Sequence, residues 1–322
     1  CIRTSIDMYK KCYDRARDIK DGEMLIWVTS NLGNAHAKLK EYDRANEYYK
    51  ESMDLRLLII LQVTKVRFLE EAVSLVQTCE RISRNWTRVL VDHGNFALAL
   101  ETVERMKCVT QLSAIKEKRP IDMSWMTVNG MVQVAIKQQQ NVIYYYLNSD
   151  QTYNHKFNKL YIWIIPHSKI KAHVPENCHI ITTDSGHNLY FIEHQIDTSS
   201  LTGIEEFFEA FQHFSTTKDS VPAESSWRQD SKKLLQLLKK MYEIIIQPFE
   251  WLIIGGHLNN IKFIPFGRLE LIPFPALYNG TKHLIEMLPV SVHSSMRMMQ
   301  VQETLYEQYG LDCLLFGAAD TH

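Results

Sequence analysis

Residues 261–299 read IKFIPFGRLELIPFPALYNGTKHLIEMLPVSVHSSMRMM, and this stretch decides the fold that the sequence predicts. Residues 261–264 are almost continuously apolar, and Pro265 ends the run. Gly267 supplies a turn, and a second apolar run over residues 269–272 predicts a short extended return. A run that is apolar on both faces is typical of a strand buried in a sheet that helices cover. We therefore predict a strand, a turn, an extended return, a loop, a further strand and the start of a helix.

The chain upstream of this stretch begins with a helical pattern. Small, aromatic and small residues stand at i, i+4 and i+7 in Ser5, Tyr9 and Cys12, which places them on one helix face. The same pattern recurs 40 residues later in Ala45, Tyr49 and Ser52. We predict helical repeats over residues 1–113, clearest at 26–59 and 80–113, followed by a linker helix within 114–140.

The composition changes at Asn141, where β-branched and aromatic residues take over. The runs 142–147 and 160–165 predict strands, and shorter runs over 170–174, 179–183 and 189–196 predict three more. Residues 141–322 therefore form a mixed part that follows the helical repeats. The predicted fold class is α+β and multidomain, with an α-helical solenoid before an α/β domain.

The composition excludes several classes of function. The 322 residues carry a formal net charge of −1, so nothing draws the whole chain to nucleic acid or to an anionic membrane. The six cysteines are scattered and none has a metal-ligand spacing, which predicts no metal, no cofactor and a reduced, cytoplasmic protein. Cys313 lies in an apolar run and Cys178-His179 opens a strand, so structural roles are favoured over a reactive thiol.

Two sets of residues resemble known families. The first resembles the signature of tetratricopeptide (TPR) repeats, in which small residues let helices approach and aromatic residues fill the gaps. The second set, within residues 261–299, resembles the start of a CHAT domain, a caspase-like module associated with TPRs. The TPR set is Leu32, Gly33, Tyr42, Ala45, Tyr49, Gly94, Phe96 and Ala99, and the CHAT set is Pro265, Gly267, Leu269, Pro273, Phe274, Ala276 and Leu277.

Together the two sets of residues resemble those of the TPR–CHAT proteins, including long animal scaffolds of this type. They imply a TPR solenoid followed by an incomplete caspase-like CHAT domain, because the family's His and Cys would follow the last predicted strand. On this interpretation the chain is a fragment with no catalytic residues, and its TPRs bind protein partners as a scaffold. The alternative is a fragment of a clan CD-type cysteine endopeptidase that its TPRs regulate, and a structural pseudo-peptidase stays open as a third reading.

The resemblance also implies where a partner would bind. In TPR proteins the concave face of the first helices binds peptides, and Asn31, Asn34 and Lys38 lie on that helix at a spacing of three and four residues. We predict that these three side chains contact a peptide. An incomplete domain further predicts an uncovered apolar sheet face and poor packing over about the last 60 residues.

Overall fold

A computed structural model describes residues 1–66, 69–114, 126–149, 158–196, 208–209 and 224–300. The chain begins with a helical array of five consecutive helices, each packed against the next. They are α1 (Ile2–Asp18), α2 (Gly22–Lys38), α3 (Tyr42–Val66), α4 (Leu69–Asp92) and α5 (Phe96–Ala114).

The helix ends of the array follow from local sequence. Asp21 caps α2, because its carboxylate accepts a hydrogen bond from the Met24 N–H at 3.0 Å. Between α4 and α5 the chain turns at Gly94, whose φ of 76° is the left-handed conformation that glycine adopts without strain. The hairpin α2–α3 spans residues 22–66 and the hairpin α4–α5 spans residues 69–114, so both are longer than the repeats at 26–59 and 80–113 that the sequence predicts.

A six-stranded mixed sheet follows the short helix α6 (Val128–Lys137). The strand order is β3-β4-β2-β1-β5-β6. The pairs β1–β5 and β5–β6 are parallel, and the other neighbouring pairs are antiparallel. The strands are β1 (Val142–Ser149), β2 (Asn158–Ile165), β3 (Cys178–Thr182), β4 (Asn188–Ile196), β5 (Ile261–Pro265) and β6 (Val290–Val292). The fold is thus α+β, as predicted.

Helices cover both faces of the sheet. The array packs on one face, where alternate strand residues such as Tyr144, Trp163 and Phe191 join a buried cluster that reaches back to Ile26 in α2. The other face packs against α7 (Glu224–Ile245) and α8 (Glu250–Ile254), which belong to a second buried cluster. The alternation of side chains along each strand sends one set to each cluster.

Three expectations fail in the described part of the chain. Residues 170–174 form no strand, because Lys169, Lys171 and the following Pro175 leave too short an apolar run. The predicted extended return is a 3₁₀ turn over Gly267–Leu271, which begins at a left-handed glycine. The predicted uncovered apolar face is also absent through residue 300, since Phe263 and Ile264 are buried on opposite faces of the sheet.

The remaining elements of residues 261–299 match the expectation more closely. A 3₁₀ turn (Phe274–Ala276) and α9 (Leu284–Met287) precede β6, and residues 296–300 begin a helix. The apolar run that contains Cys313 lies outside the described residues.

Candidate functional site

A groove of about 1000 Å³ lies on one side of the helical array. Its walls come from α1, α2 and α4, and Tyr42 at the start of α3 and Asn148 near the end of β1 also line it. The groove forms because α2 and α4, the first helices of the two hairpins, lie side by side and each buries its opposite face. In α4 the buried face carries Ile82, Trp86 and Leu90.

All three side chains that the sequence predicted to contact a peptide line this groove. The Asn31 amide donates to the Trp27 carbonyl oxygen at 2.8 Å. The Asn34 Oδ1 accepts hydrogen bonds from the Tyr49 hydroxyl at 2.8 Å and from the Asn85 amide at 3.0 Å. Lys38 is exposed at the end of α2. The structure therefore brings the predicted residues together on one surface.

The hydrogen bond between Asn85 and Asn34 joins the two hairpins across the floor of the groove. These two residues, with Asn31 and Asn148, give the groove four carboxamide groups. A carboxamide both donates and accepts hydrogen bonds, as a peptide unit does. Each of the four already makes at least one hydrogen bond within the protein, which restrains its orientation before any ligand arrives.

Sequence reasoning missed the cationic side of the groove. Arg81, Arg84 and Arg88 stand at i, i+3 and i+7 along α4 and all line it, opposite Lys38 of α2. The one anionic side chain in the lining is Asp92, so four cations face one carboxylate. The signal was present in the sequence, since the spacing of the three arginines equals that of Asn31, Asn34 and Lys38.

The protein surroundings hold parts of this cationic row in place. Arg84 lies against the hydroxyl of Tyr146 in β1, where its charge opposes the burial that raises the pKa of this phenol. The charge of Arg88 acts on Asp92, although burial is the larger influence and raises the pKa of the Asp92 carboxyl above its ordinary value. Arg84 and Arg88 are half-buried, whereas Arg81 and Lys38 are exposed to solvent.

The TPR-type signature residues build the hairpins beneath the groove. Ala45, Tyr49 and Leu32 are fully buried, and a Cβ added to Gly33 would stand 2.9 Å from the Tyr49 ring. In the second hairpin Ala99 is buried at the equivalent position. An aromatic residue begins the second helix of each hairpin. Tyr42 begins α3 and stacks on His93 at 5.0 Å, and Phe96 begins α5 and stacks on Phe191 at 4.3 Å.

The CHAT-type signature residues pack around the end of β5. Leu269, Phe274 and Leu277 are buried, and the Phe274 ring stacks on Phe263 with 4.4 Å between centroids. The Pro265 carbonyl accepts a hydrogen bond from the buried Lys107 Nζ of α5, which also reaches Glu270 Oε1 at 2.7 Å. The remaining members, Gly267, Pro273 and Ala276, lie in or beside the two 3₁₀ turns.

Each candidate cysteine and histidine in the described ranges has its own structural surroundings. Cys178 is buried, and burial raises the pKa of its thiol to about 11. Its neighbour His179 points to the opposite face of β3 and stacks on Phe96. His187 bonds the Pro166 carbonyl and His167 bonds Asn141. Within the described ranges no group of three or more His, Cys, Asp or Glu side chains could hold a metal ion. Cys313 and His322 lie outside those ranges.

Comparison with known proteins finds no matching family model, no matching curated protein and no matching solved structure. Among the helices that the structure describes, none combines the length and apolar character that a membrane span requires.

Proposed function

We propose that this chain is a protein-interaction scaffold whose helical array binds a peptide segment of a partner protein in the concave groove. One observation carries the proposal. The sequence predicts Asn31, Asn34 and Lys38 as peptide contacts, and all three line the same groove of about 1000 Å³. A cavity of this size with convergent polar groups is the usual form of a binding site.

The packing of the hairpins supports the finer interpretation, that the array is of the TPR type. The first hairpin packs a glycine against a buried tyrosine, as that type of repeat requires. Its main departure from the pattern is His36, which stands where an aromatic residue is usual. This imidazole is buried, stacks on Tyr48 at 5.4 Å and bonds Glu41 Oε2 at 2.6 Å, so it fills the aromatic position.

The chemistry of the groove suits an extended peptide. A bound main chain presents an N–H and a C=O at each residue, and both need partners when water is displaced. The four carboxamides offer such partners along the groove, and their existing bonds reduce the side-chain entropy lost on binding. The CHAT-type module contributes Asn148 to the groove, and its sheet packs against the helical array.

Peptide selection by display on the purified chain tests the proposal. We expect peptides to be enriched on the wild-type protein and to lose binding to Asn31→Trp, because the indole would fill the groove. Glu47→Trp is the matched control, since Glu47 is exposed on α3 and does not line the groove. Failure to enrich any peptide would contradict the proposal, as would peptides that bind both variants equally.

A further inference from the structure

The charge of the groove differs in sign from that of the chain. The whole chain has a formal net charge of −1, whereas the groove lining contains Lys38, Arg81, Arg84 and Arg88 against Asp92 alone. Like charges at such close spacing on one helix face repel each other. A ligand of opposite charge would relieve this repulsion.

We propose that the groove selects an acidic peptide segment, rich in Asp and Glu, whose carboxylates pair with Arg81, Arg84, Arg88 and Lys38. This inference rests on the proposed peptide-binding function and names its substrate class. Arginine suits the role because its planar guanidinium pairs with a carboxylate through two parallel hydrogen bonds. The main chain of the same segment lies along the carboxamides of Asn31, Asn34 and Asn85.

A peptide is favoured over a single-stranded nucleic acid by the state of the groove's aromatic rings. Nucleic-acid grooves of this kind offer free aromatic faces on which bases stack. Here Tyr9 already packs edge-on against Trp27, with 5.7 Å between centroids, and Tyr42 stacks on His93. The free polar capacity belongs to the carboxamides, whose hydrogen-bonding groups match those of a peptide unit.

Fluorescence anisotropy with three labelled probes tests the inference. The probes are a glutamate-rich peptide, the same peptide with every glutamate replaced by glutamine, and oligothymidylate. We expect the acidic peptide to bind at least about tenfold more tightly than its glutamine counterpart. Its affinity should fall as salt rises from about 50 to 300 mM, because added ions screen the paired charges.

Charge-reversal variants locate the binding. Arg81→Glu and Lys38→Glu should each weaken binding of the acidic peptide about tenfold. Lys50→Glu, an exposed position on α3 outside the groove, makes the same change in net charge and should leave the affinity unchanged. Circular dichroism of each variant checks that the fold is retained, and both reversed residues are exposed, so little packing is lost.

The outcomes separate this inference from the proposed function. If display-selected peptides bind in the groove without preference for acidic sequence, the charge inference is overturned and the scaffold function stands. Tighter, Arg81-dependent binding of oligothymidylate would overturn the inference in favour of nucleic acid. If no peptide of any composition binds the groove, both proposals fail.

Discussion

At the scale of single residues, Gly33 shows how closely α2 and α3 approach. A methyl group at this position would stand 2.9 Å from the Tyr49 ring, which is fully buried and held by its hydroxyl on Asn34. Alanine favours a helix over glycine by about 0.5–1 kcal/mol, whereas overpacking a fixed core costs about 1–3 kcal/mol. The overpacking is larger because the ring cannot move away.

Gly33→Ala should therefore lower the free energy of unfolding by about 1–2 kcal/mol, measured by urea denaturation. Gly22→Ala is the matched control, since a Cβ there meets only Ile59 at 3.6 Å, an ordinary contact. The control should be neutral or slightly stabilising. Equal effects of the two substitutions would show that Tyr49 yields and that the close approach is not required.

Glu104 of α5 is a buried carboxyl at the boundary between the array and the sheet. The Tyr144 hydroxyl donates to it at 2.6 Å and the Arg297 N–H at 2.7 Å, with Lys107 nearby. Burial is the largest influence and raises the pKa of this carboxyl above its ordinary value of 4.5. The folded state therefore holds the proton to higher pH than the unfolded chain does.

The stability that Glu104 contributes is fully present below the unfolded pKa and falls as the pH rises toward the folded pKa. Glu104→Gln should remove this decline, so the variant loses less stability than wild type on going from about pH 4.5 to neutrality. Glu41→Gln is a control of opposite sign, because the hydrogen bond with His36 lowers the pKa of that carboxyl. Parallel pH profiles for Glu104→Gln and wild type would contradict the assignment.

At the scale of elements, the start of α5 attaches the array to the sheet. The Phe96 ring contacts both Phe191 of β4 at 4.3 Å and His179 of β3 at 4.7 Å, and these two rings also contact each other at 6.1 Å. The Phe96 carbonyl also accepts a hydrogen bond from the Trp163 indole at 2.9 Å. Tyr42 begins α3 in the same position of its own hairpin, but it contacts His93 within the array.

Phe96→Ala should cost about 3 kcal/mol of unfolding free energy, because it opens a cavity between α5 and the sheet. Tyr42→Ala should cost less, since that ring packs only at the edge of the array. Tryptophan fluorescence of the folded state should change in Phe96→Ala, because the Trp163 indole donates its hydrogen bond to the Phe96 carbonyl. An equal loss of stability in both variants would mean that α5 adds nothing beyond ordinary hairpin packing.

The sequence predicted the elements better than their arrangement. Apolar runs such as 142–147 and the small–aromatic pattern around Tyr49 act over a few residues, so they predict β1 and the first hairpin. The 3₁₀ turn at 267–271 was missed because Leu269 and Ile272 point inward through a turn as well as through a strand. The groove was only partly predicted, since the alignment of Arg84 with Asn34 depends on how α2 and α4 pack.

At the scale of the whole molecule, the buried cluster that joins the array to the sheet determines how the protein should unfold. The cluster contains Tyr49 of α3, Val103 of α5 and Trp163 of β2, so neither part can leave without exposing apolar surface of the other. Removing such a surface from water contributes about 25 cal/mol per Å², which favours a single cooperative unit. Helix α1 differs, because Ile6 packs in a separate small cluster against α2.

Hydrogen exchange followed by mass spectrometry measures this cooperativity. Amides of α4, α5, β1 and β2 should exchange with a common opening free energy, equal to that of global unfolding. Amides of α1 should exchange sooner, since this helix is held by few buried contacts at the end of the array. If α4 and α5 instead opened at a lower free energy than the sheet strands, the array would be an independent unit. A bound acidic peptide would then protect α2 and α4 without protecting β2, whereas in a single unit it protects all of them by the same amount.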